Sequence, residues 1–204
     1  MLRPELVRFL LIAGIAAGAL FVLVSTVETV ARPGFDLKRH AVSMLSLGDR
    51  GWVMTWTFIV SGILTLLCAA GLRSAGAGLW GPILIGVYGA GLIIAGIFPT
   101  PPALGFPPGT PNDLAPVMDT NAKLHGLGFM VAFSALIIAC FVYAVGFYTS
   151  GFGGWTIFSV AAGLSMPVLV ASGMSNVIAP GIAFCAAAVV GWVWLGAVAA
   201  SLLP

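Results

Sequence analysis

Charged side chains are scarce in this sequence. Lys and Arg number 8 and Asp and Glu 6, so only 7% of the 204 residues are charged, against about a quarter in an ordinary soluble domain. Since a soluble domain needs polar side chains to cover its surface, this composition argues against one. The net charge of +2 also provides no basic surface for nucleic acid, so no nucleic-acid partner is expected.

Cysteine and the common ligand motifs are equally sparse. The three cysteines, Cys68, Cys140 and Cys185, lie in apolar runs and form no CxxC motif, which favours packing over metal binding or disulfides. No HxxH or HExxH spacing is present, so no metal site is predicted. A Walker-type loop and a dinucleotide GxGxxG motif are missing too, which argues against a nucleotide partner. The two histidines would suit a bis-imidazole haem, but nothing requires it, and the cofactor stays open.

Long apolar runs are what the sequence has instead. Hydrophobic residues make up 60% of the chain and the mean hydropathy is +1.13. A run of about 20 apolar residues is long enough to cross a bilayer as a helix. Six such spans are predicted, at 7–30, 52–72, 79–98, 124–148, 155–175 and 178–203. The sequence therefore predicts an all-α polytopic membrane protein, in which residues 1–204 form a single six-helix transmembrane bundle with the lipid bilayer as its surroundings.

The basic residues leave the orientation of this bundle open to argument. Six spans place both termini on the side of Arg3, Arg8 and Arg73, opposite the side of Arg32, Lys38, Arg39, Arg50 and Lys123. A simple positive-inside count would put the termini outside. We nevertheless expect cytoplasmic termini, because the first helix has a basic start. The five basic residues on the other side are also interleaved with Asp36, Asp49, Asp113 and Asp119, which favours a folded ion-pair cluster.

Half of the charge is concentrated at one place, the connection between the first two spans. Residues 28–50 hold seven of the fourteen charged residues and one of the two histidines, and all of these except Glu28 lie in the stretch RPGFDLKRHAVSMLSLGDRGW. At 100° per residue, Leu37, Ala41, Met44 and Leu45 fall on one face, Val42 and Leu47 fit the pattern poorly, and Lys38 lies to one side. The polar side chains on the opposite face are Asp36, Arg39, His40, Ser43 and Ser46. This pattern predicts a short amphipathic helix from about Asp36 to Leu47 at the membrane surface.

Small residues at four-residue spacing within the spans favour close contacts between helices. The pairs are Gly14/Gly18, Gly86/Ala90 and Gly91/Ala95.

A second long connection, residues 99–126, carries the other histidine and seven prolines. The prolines disfavour regular helix or strand but stiffen the chain. Two spans separate this connection from the first, so both lie on one side of the bilayer. His40 and His125 are therefore expected to share one polar cap.

Several motifs in these segments resemble one known family. RPGFDLKRHAVSMLSLGDRGW, ALGFPPGTP, KLHG at the start of the fourth span and GWVW in the last resemble the six-helix prokaryotic membrane proteins called domain of unknown function nine-nine-eight. The most specific positions are Asp36, Arg39, His40, Ser43, Leu45, Ser46, Leu47, Gly48, Gly51, Leu124, His125 and Gly126. The resemblance implies a six-helix fold in a prokaryotic cell membrane and no particular reaction. The family often has an aspartate where this chain has Thr100.

Three functions remain open from the sequence. The first is a structural or accessory subunit of the cell envelope, whose polar cap closes the bundle on the non-cytoplasmic face and whose partner is another membrane protein. The second is a membrane-surface enzyme or a lipid-headgroup binder. Its catalytic candidates are His40, Ser43, Asp36 and His125, and its ligand-binding candidates are Arg39, Ser46, Arg50 and Lys123. The third is a small transporter using Glu28, for which pairing with Arg32 four residues on is the simpler interpretation.

Overall fold

Six long helices account for most of the chain. The computed structural model describes residues 2–203. The helices are α1 Pro4–Ala31, α2 Gly51–Ser74, α3 Trp80–Ile97, α4 Thr120–Thr149, α5 Gly153–Met174 and α6 Pro180–Ser201. All six are long and apolar enough to cross a membrane. The predicted all-α bundle of six spans is confirmed, and the protein is a multi-pass membrane protein.

Local sequence sets several of the helix starts. Pro4 and Pro180 occupy the first turns of α1 and α6, where the missing N–H of proline leaves no hydrogen bond unmade. The carboxylate of Asp119 accepts a hydrogen bond from the Ala122 N–H at 2.8 Å, which caps α4 in the usual N-cap manner. Helix α4 therefore begins at Thr120, four residues before the predicted start of its span.

The helices form a closed ring. Each packs against its neighbours in the chain, and α6 returns to pack against α1. Small residues bring the backbones together, as predicted from their spacing. A methyl group at Gly14 would overlap Cys68 of α2, one at Gly18 would touch Trp192 of α6, and one at Gly91 would press on Ala132 of α4. Gly86 is looser, since its nearest neighbours stand 3.8 Å away.

The first connection is folded differently from the prediction. Residues 37–39 form a turn, Ala41 is extended, and only Val42–Ser46 are helical, as a 3₁₀ helix of one and a half turns. The predicted helix from Asp36 to Leu47 was thus wrong in its length and type. Met44 and Leu45 are buried as expected, but His40, assigned to the polar face, is buried as well. The turn at residues 36–40 rotates the His40 ring inward.

The second connection lies over the first. The backbone of residues 103–106 forms a tight turn, and the Phe106 ring at its end is completely buried. That ring meets Phe35 edge-on at 5.3 Å and lies 5.5 Å from the His40 ring. The Arg39 guanidinium donates to the Asn112 carbonyl at 3.0 Å. Residues 32–51 and 99–119 therefore form one layer over the ends of the helices, called the loop cap below.

Candidate functional site

An ion cluster of two buried residues and one exposed arginine lies where α1 enters the loop cap. It consists of Glu28, Arg32 and Arg50. The Arg32 Nε–H donates to Glu28 Oε2 at 2.8 Å, and an Arg50 N–H donates to Glu28 Oε1. The Glu28 carboxylate is only 1% exposed, and both of its oxygens have a cationic partner. The predicted pairing of Glu28 with Arg32 is confirmed, and Arg50 is the additional member that sequence spacing did not indicate.

Arg32 also ties the ion cluster to the 3₁₀ helix. Its two terminal nitrogens donate to the backbone carbonyls of Leu45 and Leu47, the latter at 2.9 Å. A buried guanidinium is tolerated when its N–H groups have acceptors. Each of the three guanidinium nitrogens of Arg32 has one. The arginine therefore fixes the end of the 3₁₀ helix against the end of α1.

The aspartates of the loop cap have other roles than the one predicted. Within residues 2–203 the ion pairs are those of Glu28, and none involves Asp36, Asp49, Asp113 or Asp119. Asp36 instead accepts from the Lys38 N–H at 2.9 Å, which forms an Asx turn. The expected interleaved cluster of aspartates and basic residues was wrong, because the ion-pair partner of Arg32 and Arg50 is a glutamate at the end of α1.

His40 is held by the backbone on both sides of its ring. The Asp36 N–H donates to Nδ1 at 2.9 Å, so Nδ1 carries no proton. Nε2 then carries the proton and donates to the Leu104 carbonyl at 3.0 Å. The side chain is 1% exposed and lies between the rings of Phe35 and Phe106. His40 therefore joins the two connections, with both ring nitrogens engaged.

His125 lies apart from His40, in the first turns of α4. Its Nδ1–H donates to the carbonyls of Phe98 at 2.9 Å and Ala95 at 3.1 Å, at the end of α3, where backbone carbonyls lack helical partners. Carbonyls only accept, so Nδ1 carries the proton in the neutral ring and Nε2 offers a lone pair. Within residues 2–203 no hydrogen bond to Nε2 is formed.

The remaining predicted site residues are spread over the loop cap. Ser43 lines the cavity described next, together with His125. The Ser46 hydroxyl donates to the Ser43 carbonyl, and Arg39 reaches the Asn112 carbonyl. Lys123 is exposed on the first turn of α4. The structure thus brings Ser43 and His125 to one cavity and places Asp36, Arg39, His40, Ser46, Arg50 and Lys123 outside its wall.

Beneath the loop cap the ring of helices encloses a cavity, called the bundle cavity below. Its volume is about 390 Å³. Side chains of all six helices and residues 41–43 line it, and they are mainly aromatic or aliphatic. The Trp192 ring forms part of the wall, and its Nε1 is buried with no partner among the described residues. That nitrogen is itself covered by protein atoms, so a molecule in the cavity would not reach it without rearrangement.

The sequence gives no indication of the bundle cavity. Trp192 itself packs against two other rings of its wall, 5.6 Å from that of Phe21 and 5.3 Å from that of Tyr88. No local pattern marks a void between six helices. In residues 2–203, no three His, Cys, Asp or Glu side chains lie close enough to hold a metal ion.

Six membrane-spanning helices closed by two long connections define a class of small polytopic membrane proteins. The model of the family described as "Protein of unknown function (DUF998)" matches residues 15–201, which is nearly the whole chain. The chain belongs to this family, as its motifs indicated. Comparison with curated proteins and with solved structures found no match.

Proposed function

We propose that this chain is a structural or accessory protein of a prokaryotic cell envelope, in which the loop cap closes the bundle on the non-cytoplasmic face. The engagement of His40 is the observation that carries this proposal. A general base must present a lone pair to its substrate. In His40 the Nδ1 lone pair accepts from the Asp36 N–H and the Nε2 proton is donated to Leu104, so this histidine serves the architecture of the loop cap.

The ion cluster supports the same function. A transporter carboxylate has to exchange its ion or proton with an aqueous path. Glu28 is instead bonded to two arginines at the buried end of α1. Catalysis by the predicted cluster would require Asp36, His40 and Ser43 to converge, whereas Asp36 is exposed and Ser43 faces the bundle cavity. These contacts favour an accessory role over the enzyme and transporter alternatives.

Orientation rests on the start of α1. Glu28 carries one negative charge and is paired with both Arg32 and Arg50, so it offsets one of the five positive charges on the side of the loop cap and leaves four. The opposite side carries Arg3, Arg8 and Arg73. Two of these three lie at the start of the first helix, which usually dominates orientation, and this favours cytoplasmic termini. The loop cap then faces the outside of the cell.

The accessory role is tested by the size of the assembly. The chain would be extracted from its native membrane with a mild detergent and separated by blue native electrophoresis, with the purified 20.9 kDa chain in the same detergent as the control. We expect a larger complex that contains a second membrane protein in a fixed ratio. Migration of the membrane extract only at the position of the purified chain would overturn the accessory role.

Orientation is tested by cysteine labelling in intact cells with an impermeant maleimide. In a background with Cys68, Cys140 and Cys185 changed to alanine, we expect Asn112→Cys to be labelled without opening the membrane. Ser150→Cys, exposed in the connection between α4 and α5, is the matched control and should be labelled only after permeabilisation. The reverse pattern would place the termini outside.

A further inference from the structure

The bundle cavity is elongated along the helix axes. On α4 its wall runs from His125 to Phe133, and on α6 from Phe184 to Trp192. Each interval is eight residues, or about 12 Å at the rise of an α-helix. His125 lies at the end near the loop cap, whereas Trp192 lies at the deep end, near the middle of α6. The cavity is therefore a slot that leads from the membrane surface towards the bilayer centre.

The walls of this slot are mainly apolar, and two polar side chains, Ser43 and His125, lie on them near the surface. Along its deep part lie Phe58, Tyr88, Leu92 and Trp192. The Ser25 hydroxyl, also on the wall, is already donated to the Val22 carbonyl. His125 is partly exposed and keeps its Nε2 free, because Nδ1 is bonded to the end of α3. An apolar pocket with a few placed polar groups is the usual form of a small-molecule site.

The slot communicates with the bilayer between α4 and α6, near the end of α5. Three of its lining residues, Met130, Met174 and Val189, are also exposed on the outside of the bundle. Methionine side chains are flexible and adapt to different ligands. An opening bounded by apolar, lipid-facing side chains admits molecules dissolved in the membrane and not ions from water.

The volume limits what fits. The bundle cavity holds about 390 Å³ and is about 12 Å long, which is the usual size of a small-molecule site. All six helices line it, so a helix of a partner protein or of a second copy could enter only by separating them. A single hydrocarbon chain of about ten carbons suits a slot of this length.

We propose that the bundle cavity binds one single-chain amphiphile taken from the bilayer, with its apolar chain beside Tyr88 and Trp192 and a terminal hydroxyl or carboxyl group at His125 Nε2. The free lone pair of neutral His125 accepts a hydrogen bond from an O–H group. A chain that ends in a methyl ester has no such donor and binds more weakly. The site lies below the loop cap and is independent of the proposed accessory role.

Photo-crosslinking of the full-length chain in detergent tests this site. The probe is decanoic acid carrying a diazirine near the end of its chain, since a chain of about ten carbons spans the slot. We expect adducts on cavity-lining residues of α3, α4 and α6. Ala188→Phe places a ring in the cavity and should lower this labelling about fivefold or more, the equivalent of about 1 kcal/mol of lost binding. Val193→Phe puts the same ring on the lipid-facing side of α6 and should leave labelling unchanged.

Competition identifies the polar end of the ligand. Decanoic acid, decanol and methyl decanoate would compete with the probe. The alcohol, and the acid when it binds un-ionised, can donate to His125 Nε2, whereas the ester cannot. One hydrogen bond corresponds to about fivefold in affinity, so the acid or the alcohol should compete about fivefold better than the ester. Preference for the acid identifies a carboxyl ligand, and preference for the alcohol a hydroxyl one. His125→Phe should abolish the preference over the ester.

Three results would overturn the proposal. The first is that Ala188→Phe elutes from size exclusion like the unmodified chain and yet is labelled as strongly. The second is labelling confined to the outer surface of the bundle. The third is a crosslink between two chains through the cavity. If Ala188→Phe does not fold, Ala188→Leu replaces it. Because leucine fills less of the cavity than phenylalanine, the loss of labelling should be smaller than fivefold. The labelling of Ala188→Leu should still be weaker than that of Val193→Phe.

Discussion

The two ends of the bundle are closed in different ways. At the end with the short connections the helices close on themselves: a methyl group at Gly81 would overlap the Tyr143 ring, and one at Gly71 would press on Leu10. At the other end the loop cap lies over the helices, and the bundle cavity remains beneath it. Similar apolar helices thus produce one end whose interior is filled, with an open groove on its surface at Trp155 and Phe158, and one end that is hollow. These are called the filled end and the hollow end below. The difference shows that the loop cap, with its own internal bonds, replaces helix packing as the closure.

The largest effect is expected from the ion cluster. Glu28→Gln removes the carboxylate charge shared by Arg32 and Arg50 and leaves Arg32 buried without a counter-ion. Breaking a buried pair in this way costs about 3–5 kcal/mol. We expect a large fall in the folded fraction and in the thermal midpoint of the chain, measured by static light scattering and size exclusion in detergent.

Glu5→Gln is the control for this change. Glu5 is exposed in the first turn of α1, at the filled end, so its substitution should leave the thermal midpoint nearly unchanged. In Glu28→Gln, a further Arg32→Met change should recover part of the loss, since it removes the uncompensated charge. An unchanged midpoint for Glu28→Gln alone would mean that the ion cluster does not hold the loop cap.

The next effect concerns His40. His40→Ala leaves the Asp36 N–H and the Leu104 carbonyl without their partners and opens space beside Phe106. Unpaired buried groups cost about 1–3 kcal/mol each, so we expect a loss of about 2–4 kcal/mol in unfolding free energy. Lys38→Ala, at an exposed neighbouring position, is the control.

Limited proteolysis locates the damage in His40→Ala. If His40 joins the two connections, new cleavage sites should open within residues 99–119 while the helices stay protected. Wild-type protease resistance and an unchanged thermal midpoint for His40→Ala would show that the loop cap is held without this histidine, and would reopen a role for it in chemistry.

A smaller effect is expected where the loop cap meets α6. A methyl group at Gly181 would overlap the carbonyl oxygens of Leu37 and His40. Because the obstacle is backbone, the turn at residues 36–40 must shift, at a cost of about 1–3 kcal/mol. Gly196→Ala on the same helix is the control: nothing lies near a methyl group there, and it should be neutral or slightly stabilising. Equal thermal midpoints for the two variants would contradict the tight contact.

The six transmembrane helices were more predictable from the sequence than the structure of the loop cap. Each span is recognisable because about 20 apolar residues suffice to define it, whatever its neighbours are. The Glu28–Arg32 pair was predictable for a similar reason, since four residues on a helix bring side chains together. His40 was not, because its partners Leu104 and Phe106 come from a distant connection. Their contacts outweigh the amphipathic pattern that predicted a regular helix.

The bundle cavity was unpredictable for a different physical reason. A void arises from the way six helices pack together. The sequence of each single helix has the apolar and small residues of ordinary packing and gives no sign of it. Gly14 and Gly91 both have the spacing of contact glycines, yet Gly14 lies against Cys68 of the neighbouring helix, whereas Gly91 is also on the cavity wall. The exposed methionines Met130 and Met174 were the nearest signal, but many lipid-facing residues are apolar and exposed in the same way.

The smallest expected effect separates the hollow end from the filled end most directly. Ala188→Leu adds apolar atoms next to the bundle cavity, where the new side chain gains contacts without displacing others. We expect it to be neutral or to raise the unfolding free energy by about 1 kcal/mol. Ala139→Leu makes the same change on α4 at a completely buried position towards the filled end. Overpacking there should cost about 1–3 kcal/mol.

The comparison is made from the thermal midpoints of both variants after exhaustive delipidation. Lipid has to be removed because a lipid retained in the cavity would compete with the introduced leucine side chain for the same space. If both substitutions destabilise the chain equally, the two ends are packed alike, and the cavity that distinguishes them is not present in the protein in solution.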